Sequence, residues 1–242
     1  MTELRSLAFN VLFFAWTAVY QTACLPLLLG PPVWTTRVGE AWVRVSLVLL
    51  KAIVGLGHEV RGRDNLPDGP CLVASKHQSA WDTLIFSQIL DRPSYVVKQE
   101  LLWVPLLGWY LKRHGVVAVD RAGGSRALKR MVGEAKAMAA AGRAIVIFPE
   151  GTRTPPGERR PYHPGVAALY RELGLPVVPV ALNSGLYWRR RAFRKRPGTI
   201  VVEFLPPIPA GLPRKTFMAR LQDDLEGAAE RLAAEARERD GV

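Results

Sequence analysis

From Gly57 to the carboxyl end, short apolar runs alternate with segments of helical periodicity, and no other feature constrains the fold as tightly. Strands are expected at 58–62, 71–75, 94–97, 116–119, 144–148, 177–182 and 199–204. Helices are expected at 81–90, 104–114, 125–141, 164–172 and 214–238. Such alternation specifies an α/β fold, a mixed, largely parallel sheet flanked by helices. The final helix carries mixed charges at helical spacing, so it is expected as a solvated outer layer.

The amino terminus is of another kind. Ser6 to Thr36 is a 31-residue stretch without one charged side chain. At the helical rise it would span roughly 46 Å, more than the ~30 Å hydrocarbon layer of a bilayer. Pro26, Gly30, Pro31 and Pro32 interrupt it, which places the helix at 7–25 or slightly beyond. A secretory signal is the rival reading. It is disfavoured by Glu3 beside Arg5, by the length of the apolar run and by the lack of a clean small-x-small site. The stretch is read as a retained membrane segment. A second apolar stretch, Ala41 to Leu56, carries Arg44 and Lys51 on the helical face that holds Glu40. That pattern suits an amphipathic, interfacial helix, against the alternative of a core helix in a soluble domain. Residues 1–56 are therefore expected as an N-terminal membrane-anchoring helical hairpin, with a single true span as the alternative, and 57–242 as the functional domain.

Charge points the same way. The chain carries 33 basic and 21 acidic side chains, a net +12, and its densest basic cluster runs from Trp188 to Arg196. Nucleic acid is one conceivable partner for such a patch, and a solvated loop is the plainest reading. Beside a membrane anchor, anionic lipid headgroups match better, with Trp188 and Phe193 suited to the interface. No nucleic-acid partner is therefore expected. The two cysteines, Cys24 and Cys71, form no metal-ligand spacing and require no disulfide, which suits a cytosolic-facing domain.

The segment Ser75 to Asp82 holds the clearest chemistry. It follows a short apolar run and leads into a helix start, with His77 and Asp82 five positions apart across the junction. On one regular helix that spacing would turn the two side chains about 140° apart. With His77 on the turn and Asp82 in the first helical turn, they can meet. A carboxylate on one imidazole nitrogen fixes the tautomer and makes the other nitrogen a better base. The structural alternative is a capping box, with Ser79 as N-cap and Asp82 as its third helical residue.

Further along, Ile145 to Phe148 delivers Glu150, Gly151, Thr152 and Arg153 to the carboxyl end of a strand, where open α/β sheets bind ligands. Gly151 permits a tight turn and Arg153 can grip a phosphate with two charge-assisted hydrogen bonds. A plain Glu–Arg pair at a strand end is the competing reading. A second arginine, Arg121, ends the strand that starts after Gly115, and Lys98 opens the segment Lys98-Gln99-Glu100-Leu101 that follows another strand. Pro179 inside the run Val177 to Leu182 suggests an edge strand or a bulge near a ligand.

In this order and separation, these blocks resemble the 1-acyl-glycerol-3-phosphate acyltransferases (lysophosphatidic acid acyltransferases) of the glycerolipid acyltransferase superfamily. The matching blocks are H-x4-D at His77 and Asp82, K-x-E-L from Lys98 to Leu101, G-x5-R ending at Arg121, F-P-E-G-T-R from Phe148 to Arg153, and V-P-V around Pro179. The resemblance covers roughly Gly57 to Leu205. Lys76 stands where the family often has Asn, and Tyr162-His163 where many members have Phe-Lys. The resemblance implies direct acyl transfer from acyl-CoA or acyl carrier protein to the sn-2 hydroxyl of 1-acyl-glycerol-3-phosphate, giving phosphatidic acid. It implies His77 as general base and Asp82 as its orienter. Arg121 and Arg153 would hold the acceptor phosphate, with Glu150 positioning the glycerol and Gly151, Thr152, Lys98 and Pro179 around the substrate. Backbone N–H groups near the start of the Asp82 helix are expected to form the oxyanion hole. No cofactor or metal is implied. The expected location is the cell (inner) membrane, with the catalytic domain on its cytoplasmic side, in contact with membrane phospholipid. Acceptors such as lyso-ornithine lipid or glycerol 3-phosphate, and a basic membrane-binding module without catalysis, are the alternatives.

Overall fold

The structure is a computed structural model and describes residues 2–242. Its strands are β1 (Leu56–Arg61), β2 (Leu72–Ser75), β3 (Ser94–Lys98), β4 (Val117–Val119), β5 (Ile145–Ile147), β6 (Val177–Leu182) and β7 (Gly198–Phe204). Its helices are α1 (Thr2–Ala23), α2 (Pro32–Leu49), α3 (Trp81–Ile89), α4 (Leu107–His114), α5 (Gly124–Ala140), α6 (Pro164–Leu173), α7 (Ser184–Tyr187) and α8 (Arg214–Asp240).

The strands form one sheet in the order β1–β7–β6–β2–β5–β3–β4. All neighbours are parallel except β6 and β7, so the sheet is mixed and largely parallel. Strand parity splits the core in two. Cys71, Val73, Val146, Val178 and Val180 point to the face covered by α1, the end of α2 and α3. Leu72, Ala74, Ile145, Ile147 and Val177 point to the face covered by α5, α6 and the first half of α8. Burial on both faces explains why these runs read as continuously apolar rather than alternating.

Several boundaries differ from expectation, each for a local reason. Helix α4 begins at Leu107, not at residue 104, because Pro105 forces Val104 into extended backbone and a 3-10 turn, Gln99–Trp103, fills the gap. Pro32 does not break a helix but opens α2, where its missing N–H costs nothing. The second N-terminal helix therefore starts nine residues earlier than the apolar pattern of residues 41–56 suggests. Helix α8 is not a solvated layer. Its mixed charges hide a buried stripe that includes Phe217, Leu221, Leu225, Leu232 and Ala236. Pro179 lies in an interior strand, between β2 and β7. Its place is marked by a bulge, since Val178 and Pro179 stand opposite Leu205, Pro206 and Pro207 between the Val177↔Ile208 bridge and the Val180↔Phe204 rung.

The N-terminal helices pack on the sheet domain rather than beside it. Phe9 joins Leu50, Val54, Val73 and Ile85 in one buried cluster. Among the described residues, no helix is long and apolar enough to cross a membrane. Helix α1 nevertheless leaves Leu4, Leu7, Val11 and Phe14 exposed along one stripe, with Phe14 67% accessible.

The buried stripe of α8 makes a direct prediction. Leu232→Ala should cost about 2–5 kcal/mol of stability, as for a buried leucine in a packed core, read from urea unfolding. A solvated helix would lose less than about 0.5 kcal/mol.

Candidate active site

Parallel strands bring their carboxyl ends to one edge, and β2, β3, β4, β5 and β6 all run the same way. The turn after β2 therefore sits between the loops that follow β5 and β6. His77 lies on that turn, its side chain 14% exposed, and its ring stacks on Phe148 with centroids 4.2 Å apart. Nδ1 meets Asp82 Oδ2 at 3.0 Å. A carboxylate at that distance accepts from Nδ1–H, which leaves the Nε2 lone pair for a substrate proton. Among the described residues nothing hydrogen-bonds to Nε2.

Asp82 is completely buried. Besides the imidazole, its Oδ2 accepts from the amides of Gln78 at 2.6 Å and Ser79 at 2.8 Å. Ser184, which follows β6, donates its hydroxyl to Oδ1. The capping box does not form as expected, since α3 starts at Trp81 with Ala80 as its N-cap and no side-chain cap bond; Asp82 instead binds the amides of the turn that presents His77 and orients the ring. Several amides near the start of α3, where an oxyanion hole is expected, are engaged within the turn. Gln78 and Ser79 serve Asp82, Trp81 N donates to Ser79 Oγ and Thr83 N to Ala80 O.

The loop after β5 closes on the same turn. Thr154 N donates to His77 O at 2.7 Å, and Glu150 Oε2 accepts from His77 N at 2.9 Å. Glu150 Oε1 takes the Lys76 ammonium. Glu150 is therefore turned inward and does not face a glycerol in the cleft; it holds the backbone of His77. Burial raises its pKa, while Lys76 pulls the other way. Gly151 adopts φ +63°, and a Cβ there would lie 2.5 Å from the His163 ring, so only glycine fits. The Arg121 guanidinium donates to the carbonyl of Gly151. Thr152 is half-buried beside it.

Arg153 is half-buried, and no protein hydrogen bond or ion pair occupies its guanidinium among the described residues. Burial lowers its pKa, the nearby Arg190 lowers it further, and Asp82 acts in the opposite sense. An arginine in that position is short of a counter-anion. The plain Glu150–Arg153 pair does not form, because Glu150 is already engaged. Lys98 ends β3 in register with Val119 and is exposed at the outer end of the same edge. Pro179 is buried within β6, below the edge, and is not among the groups around His77.

Sequence reasoning missed Ser184 and Glu226. Ser184 lies 102 residues from its partner, and no local pattern marks it. Glu226, on α8, receives Lys76 Nζ at 2.8 Å and the Tyr162 hydroxyl at 2.9 Å. An apolar cavity of about 160 Å³ lies between α1, α2, α3 and α4; among its lining residues are Thr83 and Leu84, which directly follow Asp82.

Comparison with known proteins follows the same outline. A family model described as acyltransferase matches residues 57–183. A 1-acyl-sn-glycerol-3-phosphate acyltransferase of Pseudomonas aeruginosa is 40% identical over 171 residues, 71% of this chain and 66% of that protein. The 1-acyl-sn-glycerol-3-phosphate acyltransferase alpha of Homo sapiens is 31% identical over 170 residues, 69% of this chain and 60% of that protein. The matched region thus spans about two thirds of the length of these relatives. The crystal structure of the 1-acyl-sn-glycerophosphate (LPA) acyltransferase PlsC from Thermotoga maritima superposes with a TM-score of 0.79. It covers 97% of this chain and 98% of that one at 20% identity, a likeness of fold.

Replacing Ser184 by Ala would leave one oxygen of a fully buried carboxylate unpaired. The expected cost is about 1–3 kcal/mol of stability, measured by urea unfolding. A loss under about 0.5 kcal/mol, the ordinary value for surface changes, would mean that another donor reaches Asp82 Oδ1.

Proposed function

Because the chain belongs to the acyltransferase family, we propose that it moves an acyl group from a thioester donor, acyl-CoA or acyl carrier protein, to the sn-2 hydroxyl of 1-acyl-glycerol-3-phosphate. The observation that carries this reading is the His77–Asp82 pair, open at Nε2, on the same sheet edge as an arginine that lacks a counter-anion. His77 Nε2 takes the proton of the acceptor hydroxyl as that oxygen attacks the thioester carbonyl. The tetrahedral intermediate collapses with loss of the thiolate, which receives the proton back from His77. No acyl-enzyme forms, since among the described residues neither a serine nor a cysteine hydrogen-bonds to the imidazole. Asp82 keeps the ring in the right tautomer and stabilises the imidazolium that forms. Arg153 and Arg121 bind the acceptor phosphate, a dianion that one arginine would leave partly unpaired. The apolar cavity beside α3 suits part of an acyl chain.

The product has two acyl tails and must leave into lipid. The N-terminal helices act as the anchor, in one leaflet at the cytoplasmic face of the cell membrane. The exposed stripe of α1 and the indoles of Trp34, Trp103 and Trp109 support this reading. The basic loop 188–196 supports it too, because it is clamped to α1. Lys195 N and Ser6 Oγ are 3.0 Å apart, and the Lys195 ammonium lies 5.1 Å from the Trp188 ring and 5.9 Å from that of Phe9. Arg189, Arg190, Arg191 and Arg194 remain exposed for anionic headgroups.

Two measurements test the proposal. With lysophosphatidate and a labelled acyl donor, His77→Ala should lose roughly 10²- to 10⁴-fold in kcat. Arg153→Ala should raise the acceptor KM roughly 10- to 150-fold, for about 1.5–3 kcal/mol per bond to a charged group, with the donor KM little changed. Near-normal turnover by a folded His77→Ala enzyme would refute the base. A rise confined to the donor KM would move Arg153 to the thioester side. A panel including glycerol 3-phosphate and a lysolipid without phosphate decides the acceptor. For the anchor, combined Leu7→Ser, Val11→Ser and Phe14→Ser should weaken binding to anionic vesicles in a flotation assay. Unchanged binding would show that another surface meets the membrane.

A further inference from the structure

We infer that Lys76 is a positioning residue for His77, acting through the buried carboxylate of Glu150 that holds the His77 peptide; the inference rests on His77 being the general base. Lys76 is 2% exposed, which is unusual for an ammonium group. It directly precedes His77, and its amide still donates to Val180 O in β6 at 3.0 Å. Its side chain reaches across the back of the site and binds Glu150 Oε1 and Glu226 Oε1. One ammonium thus serves two buried carboxylates, and the Tyr162 hydroxyl supplies Glu226 with a further donor.

The link to catalysis runs through a single peptide group. Glu150 uses its other oxygen, Oε2, to accept from His77 N. An ionised carboxylate is a strong acceptor for that N–H, and a protonated one is a weak acceptor. Burial favours the protonated form, and Lys76 is the cation that opposes it. Without Lys76, Glu150 would take up a proton and loosen its hold on the His77 peptide. The ring hangs from that peptide, and a misplacement on the order of 1 Å can cost about 10²-fold in rate. Helix α8 contributes through Glu226, whose negative charge pushes Glu150 the other way.

The ionisable groups facing this cluster are Glu226 from α8, Tyr162 from the segment before α6, and His77 and Asp82 on the turn. Glu230 and Arg237 line a small cavity of about 80 Å³ beyond Lys76, and Glu230 is already paired with Arg159 at 2.7 Å. Removing the positive charge of Lys76 raises the Glu150 carboxyl pKa further, and removing the negative charge of Glu226 lowers it.

The test uses the full-length enzyme in detergent with lysophosphatidate and acyl-CoA. Steady-state constants and kcat–pH profiles are compared for wild type, Lys76→Met, Glu226→Gln and the double variant Lys76→Met/Glu150→Gln. Lys76→Met is expected to lose up to about 100-fold in kcat, with both KM values within a few-fold of wild type. The acidic limb of its kcat profile should move to higher pH, and that of Glu226→Gln to lower pH. In the double variant the glutamine carbonyl can accept from His77 N without a charge to neutralise, so much of the lost kcat should return. A Lys76→Met enzyme that melts earlier but turns over at the wild-type rate, with an unmoved profile, would overturn the inference and leave Lys76 a purely structural residue. Should Lys76→Met not fold, the Glu226→Gln profile decides: a downward shift supports the assignment and an unmoved limb overturns it. Failure of the functional reading looks different. There the wild type transfers no acyl group, or His77→Ala retains turnover, and the assignment falls with its premise.

Discussion

The site depends on one buried carboxylate. Asp82 is sealed from water at the start of α3, and a charge in that position is tolerated only when its lone pairs are filled. Four donors fill them: two amides of the turn, the His77 imidazole and the Ser184 hydroxyl. The amides come from the segment that carries His77, and the hydroxyl comes from the far side of β6. Satisfying Asp82 therefore shapes the turn, ties it to its neighbour strand and aims the imidazole, all with one residue. The imidazole is thereby fixed at Nδ1, and among the described residues no hydrogen bond engages its Nε2.

The parallel topology does the rest of the gathering. Because β2, β5 and β6 are adjacent and point the same way, the segments after them meet without long loops. The loop after β5 then grips both sides of the His77 peptide, with Thr154 on the carbonyl and Glu150 on the amide. Its glycine at φ +63° turns the chain so that Arg121 reaches the Gly151 carbonyl from β4. Arg153 is left facing outward without an acidic partner, which is a costly arrangement for a half-buried cation unless an anion completes it.

The N-terminal helices are part of the same body. Phe9 is in the core, and Lys195 is held by Asn10, by Phe193 O and by two aromatic faces. Burial brings its ammonium pKa down to about 8. That clamp fixes the arginine-rich loop against the face of α1 that carries Ser6, Phe9 and Asn10, while Leu4, Leu7, Val11 and Phe14 stay exposed on a different face of the same helix. Arg190 also reaches the Arg153 carbonyl, which places this basic rim at the mouth of the site.

The sheet was legible in the sequence because a strand buried on both faces must be apolar throughout, and the runs at 71–74, 144–148 and 177–182 are. The dyad was legible because its two members flank a strand-to-helix junction, where the chain reverses and lets them meet, and because the blocks downstream stand in a matching order. The inward orientation of Glu150 was not, since it depends on Lys76, whose own second partner lies on the last helix. The burial of α8 was hidden by charges on its outer face, which mask a stripe that becomes visible only once the sheet is there to cover. Local spacing determined which residues could do chemistry together. Tertiary structure alone decided how the buried charges are compensated, by an ion pair between Lys76 and Glu226 and by the Ser184 hydroxyl donating to Asp82, because these partners are separated by 150 and 102 residues and only the packed sheet brings them within a hydrogen bond.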